Sequence, residues 1–159
     1  MTDEQMLFAT EDQQLELQET AVAETNTEKY LIFVSDGLRY GLNAEQVAEI
    51  ITNYSITPLP RVPNYVRGIV NLRGQIIPIV DIRLRLGKPP QEGGCFIVVE
   101  VDNASIGILV DGVEKMEEIP VDIILPMPTQ NDQKMISGMC SLPEGGTMLI
   151  LDCELLLHG

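Results

Sequence analysis

The side chains in this sequence that could do covalent or acid–base chemistry are few, and they form no catalytic pattern. The only histidine, His158, is the penultimate residue, so a Cys-His or Ser-His-Asp arrangement would depend on a fraying chain end. The sequence contains no phosphate-binding glycine motif and no metal-ligand spacing. Asp81 and Asp152 could be read as a carboxylate pair, but each precedes a short apolar segment and is better explained as a helix cap. We therefore expect a binding or scaffolding protein with no enzyme activity, cofactor or metal.

The three cysteines point to the same conclusion. Cys95, Cys140 and Cys153 are odd in number and lack Cys-x-x-Cys spacing, which favours neither a disulfide framework nor a zinc site. We expect them to be buried small apolar residues in a reducing cytoplasm. No apolar run approaches the roughly 18 residues of a membrane span, and the N-terminus lacks a basic region followed by an apolar one. The sequence therefore predicts a cytoplasmic protein without direct membrane insertion.

Charge is distributed unevenly along the chain. The 159 residues carry a net charge of −14, and residues 1–28 hold eight acidic residues and no basic one. Because that segment buries too little apolar surface to offset its ordering entropy, we expect a disordered acidic tail. Phosphate backbones repel an acidic protein, which argues against nucleic acid as a partner. Only residues 61–88, with six of the ten basic residues, could form a basic face that binds nucleic acid despite the overall negative charge. A nucleic-acid-binding small barrel is therefore the weaker alternative.

The basic residues surround the feature that organises the chain, a predicted β-hairpin. Two apolar runs flank Arg73-Gly74, and the glycine supplies the positive φ that a tight turn needs. An arginine at an exposed turn is a common anchor of protein interfaces. Pro78 has no amide proton, so we expect the second strand at a sheet edge or with a bulge at that residue. Asp81 is expected to cap a short helix that follows.

Short β-rich segments predominate elsewhere. Asp36-Gly37 separates two such segments and predicts a first hairpin. The spacing of apolar residues then changes from that of a strand to that of a helix, and Asn43 is expected to cap a helix over residues 44–50. Residues 113–119 fit a helix face about as well as a twisted strand, so their structure stays open.

The two halves of the sequence echo each other. Residues 67–87 align with residues 137–159, each with a glycine, a strand, a turn, a second strand, an aspartate and a leucine-rich end. Residues 39–50 similarly parallel residues 105–119. The sequence therefore predicts a mainly β fold of two pseudo-repeated barrels that share a core, since barrel closure removes exposed sheet edges. In the second copy, Pro143-Glu144 replaces the arginine at the hairpin tip.

The order of these motifs resembles the CheW family of chemotaxis coupling proteins. The resemblance covers residues 30–157 and is carried by V-A-E-I at 47–50, R-G-I-V-N-L-R-G at 67–74 and G-I-L-V-D-G-V at 107–113. It implies two five-stranded, SH3-like β-barrels with short helices. We expect a CheW-like domain at 29–159, with barrel 1 at about 29–88, barrel 2 at about 95–159, and strand exchange between them left open.

The resemblance also implies a function in two-component signal transduction. CheW proteins are adaptors that bind the cytoplasmic tips of methyl-accepting chemoreceptors and the regulatory domain of the histidine kinase CheA. The same role here would recruit the protein from the cytoplasm to membrane-associated receptor arrays. An alternative keeps the fold and makes the protein the scaffold of a chemosensory pathway that does not control flagella.

Several residues correspond by position to partner-binding positions of the family. They are Arg73 of the N-L-R-G motif, Gly68, Val47, Glu49, Val113 and Met116. Two of them have a simpler explanation. Val47 could belong only to the core, and Gly68 could be required only for its backbone conformation.

Overall fold

The computed structural model describes residues 26–90, 92–127 and 135–158. The predicted acidic tail therefore lies outside the described residues up to residue 25, and the first strand begins at Thr27, two residues before the predicted start of the domain. Within the described part of the chain, no helix is long and apolar enough to cross a membrane.

Strands from both ends of the described chain form the first sheet, which we call sheet A. Its members are β1 (Thr27–Ser35), β2 (Leu38–Asn43), β8 (Gly112–Pro120), β9 (Leu125–Pro126), β10 (Ile136–Ser141) and β11 (Thr147–Leu151). They lie side by side in the order β8-β1-β2-β11-β10-β9. All neighbouring strands are antiparallel except β2 and β11, which are parallel.

The intervening chain forms the second sheet, sheet B. Its members are β3 (Val47–Ile51), β4 (Val66–Leu72), β5 (Gln75–Asp81), β6 (Cys95–Val101) and β7 (Ala104–Val110), in the order β3-β6-β7-β5-β4. Here β5 and β7 form the parallel pair. The predicted mainly β fold is confirmed, and each sheet draws its strands from both halves of the sequence.

Two short helices follow equivalent hairpins and begin at aspartate caps, as predicted. The first, α1 (Ile82–Arg85), follows β5, and Asp81 Oδ1 accepts a hydrogen bond from the Arg83 amide at 2.9 Å. The second, α2 (Cys153–His158), follows β11, and Asp152 Oδ1 accepts from the amides of Glu154 and Leu155. Each cap satisfies backbone donors that a helix start otherwise leaves unpaired.

The sheets pack over a shared apolar core because alternate residues of a strand point to opposite faces. In β1, Leu31 and Phe33 belong to the shared core, whereas Tyr30 and Ile32 belong to the core of sheet A. Sheet B has its own core, which includes Phe96. Burying a large apolar side chain contributes about 1.5–3 kcal/mol, so strands that are apolar on both faces stabilise the two sheets together.

The chain around residue 47 is a strand, which corrects the helix predicted over residues 44–50. Asn43 does act as a cap, accepting from the Glu45 amide at 3.0 Å, but only a 3₁₀ turn at Ala44–Gln46 follows before β3 begins. A bulge at Ala48 moves the register from Val47 opposite Val99 to Glu49 opposite Val98. The bulge puts residues three apart on one face, which in sequence imitates a helix.

The same irregularity resolves the ambiguous segment 113–119, which is part of β8. Val113 lies opposite Phe33 and Lys115 opposite Ile32, so Glu114 is the bulged residue. This segment too has apolar residues three apart on a strand rather than on a helix.

Pro78 corrects the expectation of an edge strand. It lies in β5, between β7 and β4 in the interior of sheet B, and the bulge in this hairpin falls at Arg67 of β4. Its cross-strand neighbour Ile69 directs its amide and carbonyl away from Pro78 and exchanges two hydrogen bonds of 2.9 Å with Thr57. The missing proline donor therefore costs the β4–β5 ladder no hydrogen bond.

The three cysteines are free and buried, as predicted. Burial raises the pKa of all three thiols, most strongly that of Cys153, to about 12. Thiols in this state behave as small apolar side chains.

An ion cluster joins the ends of the two sheets. Arg83 of α1 donates two hydrogen bonds, of 2.8 and 2.9 Å, to the Asp111 carboxylate, and the Asp36 amide donates to the same carboxylate at 2.8 Å. Lys88 donates to Asp36 at 2.5 Å. The cluster connects the β1–β2 turn of sheet A to α1, the helix that follows β5 of sheet B.

Because of this cluster, the free energy of unfolding should depend on pH in the acidic range. The hydrogen bond from Lys88 holds the pKa of Asp36 below its ordinary value of 3.8. A lowered pKa adds stability above the unfolded value, and that contribution is lost as the pH falls through the folded value. We expect Lys88→Ala to lower the free energy of unfolding at pH 7, with the difference from wild type shrinking as the pH falls below 3.8.

Urea unfolding across this pH range checks the expectation. Arg61→Ala is the matched control, because Arg61 is exposed and forms no ion pair within the described residues. A Lys88→Ala difference that is constant with pH would show that Asp36 is not the titrating group.

Candidate partner-binding surface

The tip of the β4–β5 hairpin holds its arginine in an unusual backbone conformation. Arg73 and Gly74 have φ values of 51° and 85°, so both central residues of the turn are left-handed, as a type I′ turn requires. Asn71 supports the turn by accepting a hydrogen bond from the Gly74 amide at 3.0 Å. The left-handed conformation costs an ordinary residue about 1–2 kcal/mol, so turn geometry alone would favour glycine or asparagine over arginine here.

The Arg73 side chain is 70% exposed and forms an ion pair with Glu49 of β3, whose side chain is 31% exposed. The fold thus brings together two residues, from different segments, that the family resemblance implied for partner binding. An exposed ion pair contributes about 0–1 kcal/mol to stability. Its main effect is to hold the guanidinium in one orientation beside β3, the outer strand of sheet B.

Three predicted residues and one additional residue are apolar and lie on β3 and β8, the outer strands of the two sheets. Val47 and Val113 are half-buried and pack against the shared core. Ile50 lies opposite Ile97, and Met116 lies opposite Leu31, which are both residues of the shared core. We call these four residues, Val47, Ile50, Val113 and Met116, the core-edge group.

The outer members of the core-edge group are open to solvent. Ile50 is 40% exposed and Met116 is 48% exposed. Ile50 is not among the residues predicted from the sequence, although the internal repeat identifies it, because Ile50 holds the place in β3 that Met116 holds in β8. Val47 both packs on the core and borders this surface, so its two explanations are compatible.

Gly68 has a strict backbone role. It is buried, its φ is 145°, and a Cβ at this position would lie 2.1 Å from the Thr57 carbonyl oxygen. Only glycine fits where two backbones approach this closely. These contacts explain the glycine without a partner, and a direct partner contact at Gly68 stays a prediction.

The second hairpin repeats the ion pair of the first with the charges exchanged. Glu144, at the β10–β11 tip, accepts a hydrogen bond from Lys115 of β8, where the first hairpin pairs Arg73 with Glu49 of β3. This bond raises the pKa of Lys115 and lowers the pKa of Glu144. The two halves therefore present tips of opposite charge, and a partner suited to one tip is not suited to the other.

The side chains of this surface are of the kinds that recognise another protein. Among the described residues, no three His, Cys, Asp or Glu side chains come close enough together to hold a metal ion. The exposed guanidinium, its carboxylate partner and the exposed apolar side chains of Ile50 and Met116 are the kinds of group that anchor protein interfaces.

Comparison with known proteins shows which family the chain is similar to. The model of the CheW-like domain matches residues 29–159. A chemotaxis protein CheW of Klebsiella aerogenes is 33% identical over 141 residues, which cover 84% of each chain. The protein FrzA of Myxococcus xanthus is 32% identical over 108 residues, 66% of this chain and 68% of FrzA.

A solved structure agrees with the sequence matches. The crystal structure of the scaffolding protein TtCheW from Thermoanaerobacter tengcongensis superimposes with a TM-score of 0.73 at 29% identity. The superposition covers 80% of this chain and 90% of that protein.

Proposed function

This chain belongs to the CheW family and is a chemotaxis adaptor, and we propose that it couples chemoreceptor cytoplasmic tips to the regulatory domain of the histidine kinase CheA. The observation that carries the proposal is the exposed Arg73 guanidinium, oriented by Glu49 at a hairpin tip. Turn chemistry would not select an arginine there, so a partner contact is the better reason for it.

We assign the coupling surface to two sets of residues. The first is the Arg73–Glu49 pair, and the second is the core-edge group with its exposed Ile50 and Met116. A cation beside apolar side chains gives an interface both charge specificity and buried apolar area. Gly68 supports this surface from within sheet B by fixing the backbone that leads to the hairpin tip.

We propose that the protein works without catalysis. Signal would pass through occupancy and contact between receptor, adaptor and kinase at membrane-associated arrays. Affinities near micromolar, about −8 kcal/mol, suit an array built from many weak contacts.

Binding measurements on the full chain test the proposal. The protein would be titrated by calorimetry with a CheA regulatory domain and, separately, with a chemoreceptor cytoplasmic fragment. We expect saturable binding to both. A properly folded protein that binds neither partner would contradict the proposed coupling while leaving the family and fold as they are.

Met116→Ala tests the apolar part of the surface. Removing an exposed side chain that becomes buried in a complex costs about 1 kcal/mol, or about five-fold in affinity. The matched control is Leu125→Ala, because Leu125 is another apolar residue of sheet A and is 61% exposed. We expect Met116→Ala to weaken binding to at least one partner and Leu125→Ala to leave both affinities unchanged. Equal losses in the two variants would place the surface elsewhere.

A further inference from the structure

The β4–β5 hairpin carries an exposed apolar side chain that the coupling surface described above does not include. Ile76 lies three residues after Arg73 and is 55% exposed. It shares a face of β5 with Val80, a residue of the shared core, because alternate side chains of a strand point the same way. Ile76 therefore continues the core-facing side of β5 out into solvent, at the tip that bears the arginine.

The internal repeat shows that the fold does not require this combination of side chains. Thr147 is the equivalent of Ile76, because each lies five residues before the helix-capping aspartate of its half. Thr147 is exposed and polar, and the charged residue at the β10–β11 tip is Glu144. One hairpin thus presents a cation with an apolar side chain, and the other presents an anion with a hydroxyl.

The N-terminal sequence contains a segment that complements the first of these tips. Residues 1–28 hold eight acidic residues and no basic one. Within them, Leu15-Glu16-Leu17 places a carboxylate between two leucines. A carboxylate flanked by apolar side chains matches a guanidinium near an exposed isoleucine in both charge and apolar area. Glu144 at the β10–β11 tip would instead repel this segment.

The distance along the chain is short enough for the segment to reach Arg73. Glu28 accepts a hydrogen bond from the Asn43 side chain at 3.3 Å. Glu49 follows Asn43 by six residues, a path of at most about 20 Å, and Glu49 forms the ion pair with Arg73. A chain of the length between Leu17 and Glu28 can span about 36 Å when extended. The tether is therefore long enough without strain.

From these observations we propose that residues 15–17 bind intramolecularly to the β4–β5 tip, with the Glu16 carboxylate on the Arg73 guanidinium and the two leucines against Ile76. The guanidinium can accept this second carboxylate, since Glu49 contacts only its Nη2 and the group carries five donors. A contact of this size is weak, but a short tether raises the local concentration of the segment to about millimolar. The segment then competes with any partner at this tip, a consequence that rests on the proposed function.

A spin label on the segment tests the contact in the full chain. A nitroxide attached at Gln18→Cys broadens the amide resonances of the residues that it approaches. The three native cysteines are buried, so the label reacts with the new thiol. We expect broadening at Gly74 and Ile76. Gly145 and Thr147 of the β10–β11 hairpin are the matched positions and should keep their intensity.

Substitutions in the labelled chain separate the two parts of the contact. Leu15→Ser with Leu17→Ser keeps every charge and removes the apolar side chains, so most of the broadening should disappear. Arg73→Glu should abolish the broadening, because it places a carboxylate opposite an acidic segment. Arg61→Glu is its matched control, since Arg61 is also an exposed arginine with a positive φ, and it should leave the broadening unchanged.

Competition with a partner is measured separately, by calorimetric titration of the full chain with the CheA regulatory domain and the receptor fragment. A segment of millimolar affinity at millimolar effective concentration occupies the tip about half of the time. The variant with Leu15→Ser and Leu17→Ser should therefore bind the partner that uses Arg73 about two-fold more tightly than the wild type.

Equal broadening of both hairpins, or no broadening at either, would overturn the contact. An equimolar mixture of spin-labelled protein and ¹⁵N-labelled protein without the label identifies a second copy as the occupant. Broadening in that mixture as strong as in the single chain would overturn intramolecular binding. The spin-label experiment contains no partner, so a failure of the contact and a failure of the coupling function are distinguishable. Broadening at the tip together with unchanged partner affinity would overturn only the competition.

Discussion

Gly68→Ala is expected to lower the free energy of unfolding by about 3–5 kcal/mol. The added methyl group would lie 2.1 Å from the Thr57 carbonyl oxygen, and the φ of 145° at this residue is strained for any other L-amino acid. Relief requires the Thr57 backbone to move, which would break its two hydrogen bonds to Ile69. Urea unfolding followed by circular dichroism measures the loss.

Gly74→Ala is the matched control. Gly74 also has a positive φ, of 85°, but a Cβ there would meet nothing within 4 Å. Only the conformational cost of about 1–2 kcal/mol then applies. If Gly68→Ala instead retained wild-type stability and lost partner binding, Gly68 would be a contact residue and the backbone explanation would fail.

Arg73→Glu is expected to weaken partner binding by at least about 30-fold, the effect of losing an interface anchor worth about 2 kcal/mol or more. The substitution removes the guanidinium and places a second carboxylate beside Glu49. Because the side chain is 70% exposed, the melting temperature should stay close to that of the wild type. Calorimetric titration with the CheA regulatory domain and the receptor fragment measures the first effect, and a thermal melt measures the second.

Arg61→Glu is the matched control for Arg73→Glu. Arg61 is also an exposed arginine with a positive φ, 62°, in the same basic segment, so the change in net charge and the backbone setting are alike. Equal losses of binding in both variants would indicate long-range electrostatics rather than a contact at the hairpin tip. A large fall in melting temperature for Arg73→Glu would make the arginine structural.

Local chemistry made much of the fold predictable from the sequence. The turns at Asp36-Gly37 and Arg73-Gly74, and the caps at Asp81 and Asp152, each depend on a few adjacent residues whose conformational preferences are strong. The β-bulges were not predictable in this way. A bulge at Ala48 gives β3 the apolar spacing of a helix, and the choice between the two depends on pairing with β6, which is distant in sequence.

The candidate site was likewise predictable only where it depends on residues adjacent in sequence. The exposed arginine at a hairpin tip followed from the turn sequence, but its pairing with Glu49 depends on how sheet B closes around the hairpin.

The strand order has a consequence for how the chain folds as it is synthesised. Sheet B comes from one continuous stretch, residues 47–110, which is inserted between the two parts of sheet A. All strands of sheet B therefore exist before β8 is made, whereas β1 and β2 must wait for β8 and β11. β1 and β2 can pair with each other at once, but each gains its second neighbour only after the strands of sheet B have been made, and their apolar faces need protection during that interval.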